Sequence, residues 1–209
     1  LGAPPASFDF EGKTVTPTAF VKEVLKIEPD HYVSVMSTLA VPFHSRAPFD
    51  VPDNWWKDAS YHNVPLDEFY GALKATLQAG FSLTVALDTS EPGKDPLGEV
   101  MFVPDYDIPP HRINQLAREY RFAHRITTDD HGVHLVGLAE HDGHDWFLAK
   151  DSGRSSRRGK HAGYYFIRDD YVRLKVLTFT VHRDAVKSLL AKFGPEPVDG
   201  GLPGASGSR

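Results

Sequence analysis

The chain has 209 residues, a net charge of −5, 41% hydrophobic and 24% charged residues, and no cysteine. That length suffices to bury a single core, and the missing cysteines exclude disulfides, thiolate metal sites and an in-chain cysteine nucleophile. The charge gives no global basic field for nucleic acid. No apolar run approaches the roughly 18 residues that span a bilayer, so neither nucleic acid nor membrane is expected as a partner.

The chain opens at Leu1 with neither an initiator Met nor a signal-peptide pattern. It is read as a processed chain or a fragment. Any targeting signal would lie upstream of Leu1, which leaves cytoplasmic and secreted or periplasmic locations both open. Residues 1–7 read as a loose leader. Phe8, Phe10 and Val15 alternate around Gly12, as in a short hairpin. Thr16-Pro17 then suits an N-cap and first helical position, opening a helix to about Lys26. Residues 31–37, "HYVSVMS", suit a strand. Residues 41–65 hold four prolines and read as a long irregular connection pinned by Trp55 and Trp56; such a loop is often functional.

Leu66, Phe69, Tyr70, Leu73 and Leu77 follow helical spacing, with Gly80 as a stop. "FSLTVAL" (81–87) alternates as a strand, and 90–99 is a loop. A helix over 110–120 places Ile113, Leu116 and Tyr120 on one face. Four strand-like runs follow at 131–138, 145–150, 162–168 and 174–182, then a short final helix in "RDAVKSLLAKF". The Gly/Pro-rich stretch 194–209 reads as a mobile tail. The division is therefore a leader (1–7), a folded unit (8–193, helices and loops over 8–125 and antiparallel strands over 126–193) and a tail (194–209). The fold class is α+β.

On 131–138, alternation puts His131, Val133, Leu135 and Gly137 on one face and Gly132, His134, Val136 and Leu138 on the other. His131 thus starts a buried strand, where a rigid backbone presents it to a cleft. Phe147, Ala149 and Asp151 alternate on the next strand. An antiparallel pairing would return Asp151 to His131, where a carboxylate fixes the imidazole tautomer. Spacing alone leaves a merely structural histidine open.

The segments "TTDDHGVHLVGL", "WFLAKDSG" and "HAGYYFI" resemble the C-terminal half of papain-fold cysteine peptidases. They resemble most the bleomycin hydrolase and aminopeptidase C branch, with its secreted bacterial relatives. "KTVTPTAFVKEVL", "DHYVSV", "FDVPDNW" and "VPLDEFYGALKATLQAGFSL" fall in the branch's order, so the resemblance covers about residues 8–190. It implies a papain-like fold whose C-terminal part is an antiparallel sheet or barrel with flanking helices. It also implies a cysteine-type, aminopeptidase-like activity with no cofactor.

His131 would be the catalytic histidine of the Asp-His-Gly pattern. Asp151 stands where the family has its orienting asparagine. Ser152-Gly153-Arg154 replaces Ser-Trp-Gly, so the shielding indole is missing, and its loss should wet the pair. Asp130 and Gly132 are candidate substrate contacts. The family's nucleophilic cysteine and oxyanion-hole glutamine lie in the half that precedes everything matched here. The expected partners are therefore a peptide substrate and a separate upstream chain carrying both residues, with closed homo-oligomers common in the branch. The alternative is an inactive pseudopeptidase used as a binding module. A third reading is an unrelated metal- or anion-binding protein built on His141, Asp142 and His144, or on the basic run 153–161; a solvated turn is preferred over a metal there, and no metal ligand is assigned.

Overall fold

The computed structural model describes residues 3–195, so Leu1, Gly2 and residues 196–209, most of the expected tail, lie outside it. Strands β1 (Phe8–Phe10) and β2 (Lys13–Val15) form the expected hairpin. Its turn puts Glu11 at φ 48° and Gly12 at φ 75°, the left-handed pair a tight hairpin turn requires. Thr16 caps α1 (Pro17–Ala19), its side chain accepting from Ala19 N. The helix then widens into a π turn over Phe20–Val24 and ends before Lys26, which is left-handed at φ 56°.

β3 (Tyr32–Met36) follows. The connection over 41–65 contains two short strands, β4 (Ser45–Ala47) and β5 (Tyr61–Asn63). Trp55 and Trp56 do not pin it. They are 78% and 49% exposed and pack edge-on against each other. The anchor is buried Asn54, which donates to Phe49 O and Asp58 O and accepts from Asp58 N. Phe49 stacks on Phe122 at 5.0 Å.

The helix α2 (Leu66–Gln78) buries Leu66, Phe69, Tyr70 and Leu73, and Gly80 (φ 83°) ends it as expected. β6 (Leu83–Leu87), β7 (Lys94–Asp95) and β8 (Val100–Met101) follow. The next helix, α3 (Gln115–Ala123), starts five residues late because Asn114 caps it and 110–112 form a 3₁₀ turn. Its expected apolar face is also wrong: Leu116 and Tyr120 are 70% and 59% exposed. The residue α3 buries is Arg118. Its guanidinium donates to the carbonyls of Ser37, Arg173 and Leu177 and lies over the Phe69 ring. Burial pulls its pKa down to about 10.

β9 (His131–His141) and β10 (His144–Lys150) form a long hairpin, and β11 (Tyr164–Arg168) continues the run. A helix the sequence reading lacked, α4 (Asp169–Lys175), precedes β12 (Val176–His182), and α5 (Lys187–Leu190) closes the described chain. Among the described residues there is one ten-stranded sheet, in the order β4-β5-β3-β12-β6-β9-β10-β11-β8-β7, with two ends rather than a closed barrel. Its pairs are antiparallel except β3-β5 and β8-β11. Strands from the first half therefore interleave with those from the second, and the fold is α+β without the helices-then-sheet division.

The inner face of the sheet carries the core. Phe69 of α2 meets Phe179 of β12, and Tyr70 meets Phe147 of β10. Val133, Leu135, Ala149, Tyr165 and Ile167 complete this layer, all buried. A β-bulge corrects one detail of β9. Gly137 faces Leu148 and Leu135 faces Ala149, so Val136 is an extra residue. The bulge shifts the alternation, and Leu138 returns to the core side opposite Phe147.

Candidate active site

His131 opens β9 and pairs with Leu87, the last residue of β6. Three of the four residues before it, Thr127, Thr128 and Asp130, are clamped to the loop after β6. Thr127 Oγ1 donates to Glu91 Oε1 at 2.5 Å, and Thr128 N and Oγ1 donate to Asp88 Oδ2 at 2.6 and 3.0 Å. Thr89 N and Oγ1 donate to Asp130 Oδ1 at 2.8 and 3.2 Å. Asp88 is fully buried. Burial alone would raise its pKa, yet hydrogen bonds from Thr128, Ser90 and Glu91 outweigh it and hold the carboxyl below its ordinary value. Glu91 is fixed in turn by Arg121 and by Lys175 at 3.5 Å. Asp107 binds the same two cations at 3.0 and 3.3 Å. This buried charge network ties the entry to His131 into α3 and α4.

Asp151 follows the end of β10, and its N–H donates to Gly163 O at 2.8 Å. Lys150 pairs with His134, so the next residue, Asp151, lies diagonally across from His131 on the same face. The two meet: His131 Nε2 lies 2.8 Å from Asp151 Oδ1. The same oxygen accepts from Gly153 N at 2.6 Å. A Cβ on Gly153 would stand 3.0 Å from Asp151 Oδ1, so this turn favours glycine. The Asp151 side chain has no exposure, while that of His131 is 24% exposed. The carboxylate is thus dry although no indole stands beside it in sequence, where the resembled family has one. Ser156 Oγ, donating to Asp151 O and Gly153 O, folds the turn over it.

Asp151 Oδ2 accepts no hydrogen bond among the described residues. Its nearest cation is Lys94 Nζ at 3.9 Å, which also sits over the Tyr165 ring at 5.0 Å. A carboxylate accepting from Nε2–H leaves Nδ1 as the bare ring nitrogen. Nδ1 has no hydrogen-bond partner among the described residues and lies on the partly open side chain. The arrangement can take up and return a proton at Nδ1 while Asp151 holds the ring.

A scan of protein-family models finds no match, and neither does a search of curated proteins. Solved structures do match. Among them is PepW from Lactobacillus rhamnosis HN001, at a TM-score of 0.64 and 18% identity, over 92% of this chain and 48% of that one. The chain shares its fold with that part of PepW. It spans about half the length of PepW.

The remaining candidates separate. Asp130 spends its carboxylate on Thr89 and belongs to the clamp. Gly132, one residue past the histidine, is turned to the outward face and borders a groove shared with His134, Lys150 and Arg157. Asp129 is pushed up to about 7 by burial first, then by the charges of Asp53 and Asp130 and a hydrogen bond with Asp53. Among the described residues no three metal-ligating side chains converge. His141 turns to Asp142, and His144 to Asp169 at 2.9 Å. Sequence reasoning missed Lys94, Asp88 and Glu91. All three lie in or beside a segment that reads as plain loop, and their roles come only from contacts distant in sequence. No helix among the described residues is long and apolar enough to cross a membrane.

Proposed function

We propose that this chain is the acid–base half of a cysteine-type peptidase. The observation that carries the reading is the 2.8 Å contact between His131 Nε2 and buried Asp151, with Nδ1 left free on the open side. The likeness to PepW supports a peptidase-related role at the level of fold alone. His131 takes the thiol proton at Nδ1, the thiolate adds to the peptide carbonyl carbon, and Nδ1 returns the proton to the departing amine. Asp151 orients the ring and stabilises its charged form during the cycle. The chain has no cysteine, so the thiol and its oxyanion donors come from outside these 209 residues. Nothing in the geometry favours a separate chain over a longer polypeptide. The aminopeptidase-like form, with no cofactor, follows from the sequence resemblance.

The test uses the longer polypeptide or assembly that contains this chain. Hydrolysis of fluorogenic aminoacyl and internal-peptide substrates is measured with and without an epoxide thiol inhibitor. Thiol-dependent hydrolysis that falls about 10²–10⁴-fold in His131→Ala is expected for a lost acid–base group. A binding-only scaffold is the second reading, motivated by Asp151 standing where the resembled family has asparagine. Absence of both turnover and covalent labelling would decide for it.

A further inference from the structure

Beside the His131–Asp151 pair, on the outward face of the sheet, four side chains from four adjacent strands stand in one row. Thr84 of β6 faces His134 of β9, His134 faces Lys150 of β10, and Lys150 faces Tyr164 of β11. All four border one groove of ≈ 600 Å³, and Arg157 of the following loop borders it too. The groove begins at Gly132, whose Cα is about 3.8 Å from that of His131 across one peptide bond. Gly132 pairs with Ala86, so this end of the floor carries at most a methyl group and stays low.

The charges here are one-sided. Lys150 and Arg157 are exposed, His134 is half-buried, and among the described residues none of them makes an ion pair or a side-chain hydrogen bond. The acid on the lining is Asp151, whose carboxylate is fully buried and turned to His131 and Lys94. Elsewhere on the chain several basic side chains have found a carboxylate: Lys74 with Asp145, Arg173 with Asp67, Lys192 with Glu68. With only cations free on its lining, the groove favours an anion. Through Tyr164 the groove continues into a mainly apolar hollow bordered by Leu148, Ala162 and Phe166, with Glu99 on its rim already paired to His161 at 2.7 Å. Leu148 and Phe166 are cross-strand partners two residues along β10 and β11 from the Lys150–Tyr164 pair, or about 6.6 Å at the usual strand rise. Alternate side chains of an extended peptide are spaced by the same distance.

We propose that this groove binds an extended peptide through an acidic side chain, seated against Lys150, Arg157 and His134, with a large apolar side chain two positions away against Leu148 and Phe166. The proposal rests on the peptidase reading for the peptide as ligand, and supplies that reading with its substrate class. The ligand is an acidic peptide rather than a free anion, because the apolar hollow adjoins the cationic row.

The test needs no turnover. Fluorescence anisotropy follows binding of a labelled Ala-Glu-Ala-Phe-Ala peptide, and of its Gln counterpart, to the 209-residue chain at low and high salt. The Glu peptide should bind about tenfold more tightly at low salt, the scale of two or three exposed charge pairs, and high salt should erase the difference. The double variant Lys150→Gln/Arg157→Gln, both exposed positions, should lose the preference while keeping the wild-type circular dichroism spectrum. His131→Ala should keep it, so failure of the catalytic reading and failure of this one are separable. Equal affinity for the Glu and Gln peptides, or a preference that survives in the double variant, overturns the proposal. Displacement by inorganic phosphate as effective as by unlabelled peptide overturns its peptide part.

Discussion

The Asp151–Lys94 contact makes a prediction that separates orientation from charge. Replacing Asp151 by Asn keeps one oxygen to accept from His131 Nε2 and Gly153 N, at 2.8 and 2.6 Å in the native chain. It puts an amide where Oδ2 faces the Lys94 ammonium at 3.9 Å. Two unit charges at that distance interact by about 4 kcal/mol at an effective dielectric of 20. Desolvation offsets much of this, and Lys94, 15% exposed, can swing part-way to water. We therefore expect a net loss of about 1–2 kcal/mol, less than the 3–5 typical of a fully buried broken pair. In a chain of this length that lowers Tm by about 2–8 °C. Asp151→Ala also removes both hydrogen bonds and should cost about 3–4 kcal/mol in total. The double variant Lys94→Met/Asp151→Asn should recover most of the Asp151→Asn loss, because no unpaired cation remains. Urea and thermal unfolding at pH 7 measure all four proteins. An Asp151→Asn variant as stable as wild type, or a double variant no more stable than Asp151→Asn, would refute the electrostatic role of Lys94.

Asp129, with its pKa near 7 when folded against about 3.9 unfolded, holds its proton more tightly in the native state. Its contribution to stability is full below about pH 4 and is lost as pH rises through 7. Partial exposure limits this to about 1–2 kcal/mol, so the urea midpoint of Asp129→Asn should gain on wild type between pH 5 and pH 8, and parallel midpoints would contradict the assignment. Arg118→Met strips three buried carbonyls of their donor and should cost about 3–5 kcal/mol; a loss under about 1 kcal/mol in urea unfolding would exclude the staple. Asp88→Ala frees Thr128 from its clamp, so amide exchange at 127–131 should quicken by more than the global stability change explains, and uniform acceleration across the sheet would rule out a local clamp.

The local elements were legible where one physical cause dominates. The left-handed Gly12 turn, the Thr16 cap, the apolar stripe of α2 and the alternation that brings Asp151 to His131 are each short-range patterns. The sheet order was not legible, because β12 is placed between β3 and β6 by packing of Phe179 and Val181 into a shared core, which leaves no local mark. α4 escaped notice since its seven residues bury Asp170 and Lys175 along with Tyr171, Val172 and Leu174, so charged and apolar positions do not sort by face. The α3 error has the opposite origin. Its apolar positions follow helical spacing, yet the buried side chain is Arg118, whose charge is satisfied by carbonyls just after β3, in α4 and at the start of β12. Aromatic residues likewise misled at Trp55 and Trp56, where a single asparagine with three hydrogen bonds holds the loop.

The altered "KDSG" segment looked from sequence like damage to an orienting site. The geometry argues the other way. A carboxylate in place of a neutral amide brings a charge that must be offset if the group is to be buried. Lys94 supplies that charge from a strand edge far away in sequence, with its ammonium over the Tyr165 ring. A Cβ at Gly153 would press on Asp151 Oδ1 at 3.0 Å, and the Gly153 N–H bonds the same oxygen that holds His131. On the other side, two fully or nearly buried acids hold Thr127 and Thr128, so the backbone that delivers His131 is fixed by charge as well as by the sheet. The compensation comes from residues distant in sequence on both sides of the imidazole. Both sides are present together, and Nδ1 is the part of the ring left unengaged. Under the proposed peptidase reading this is the arrangement expected of a histidine kept for proton transfer, and the question of activity moves from Asp151 to the thiol which that reading requires.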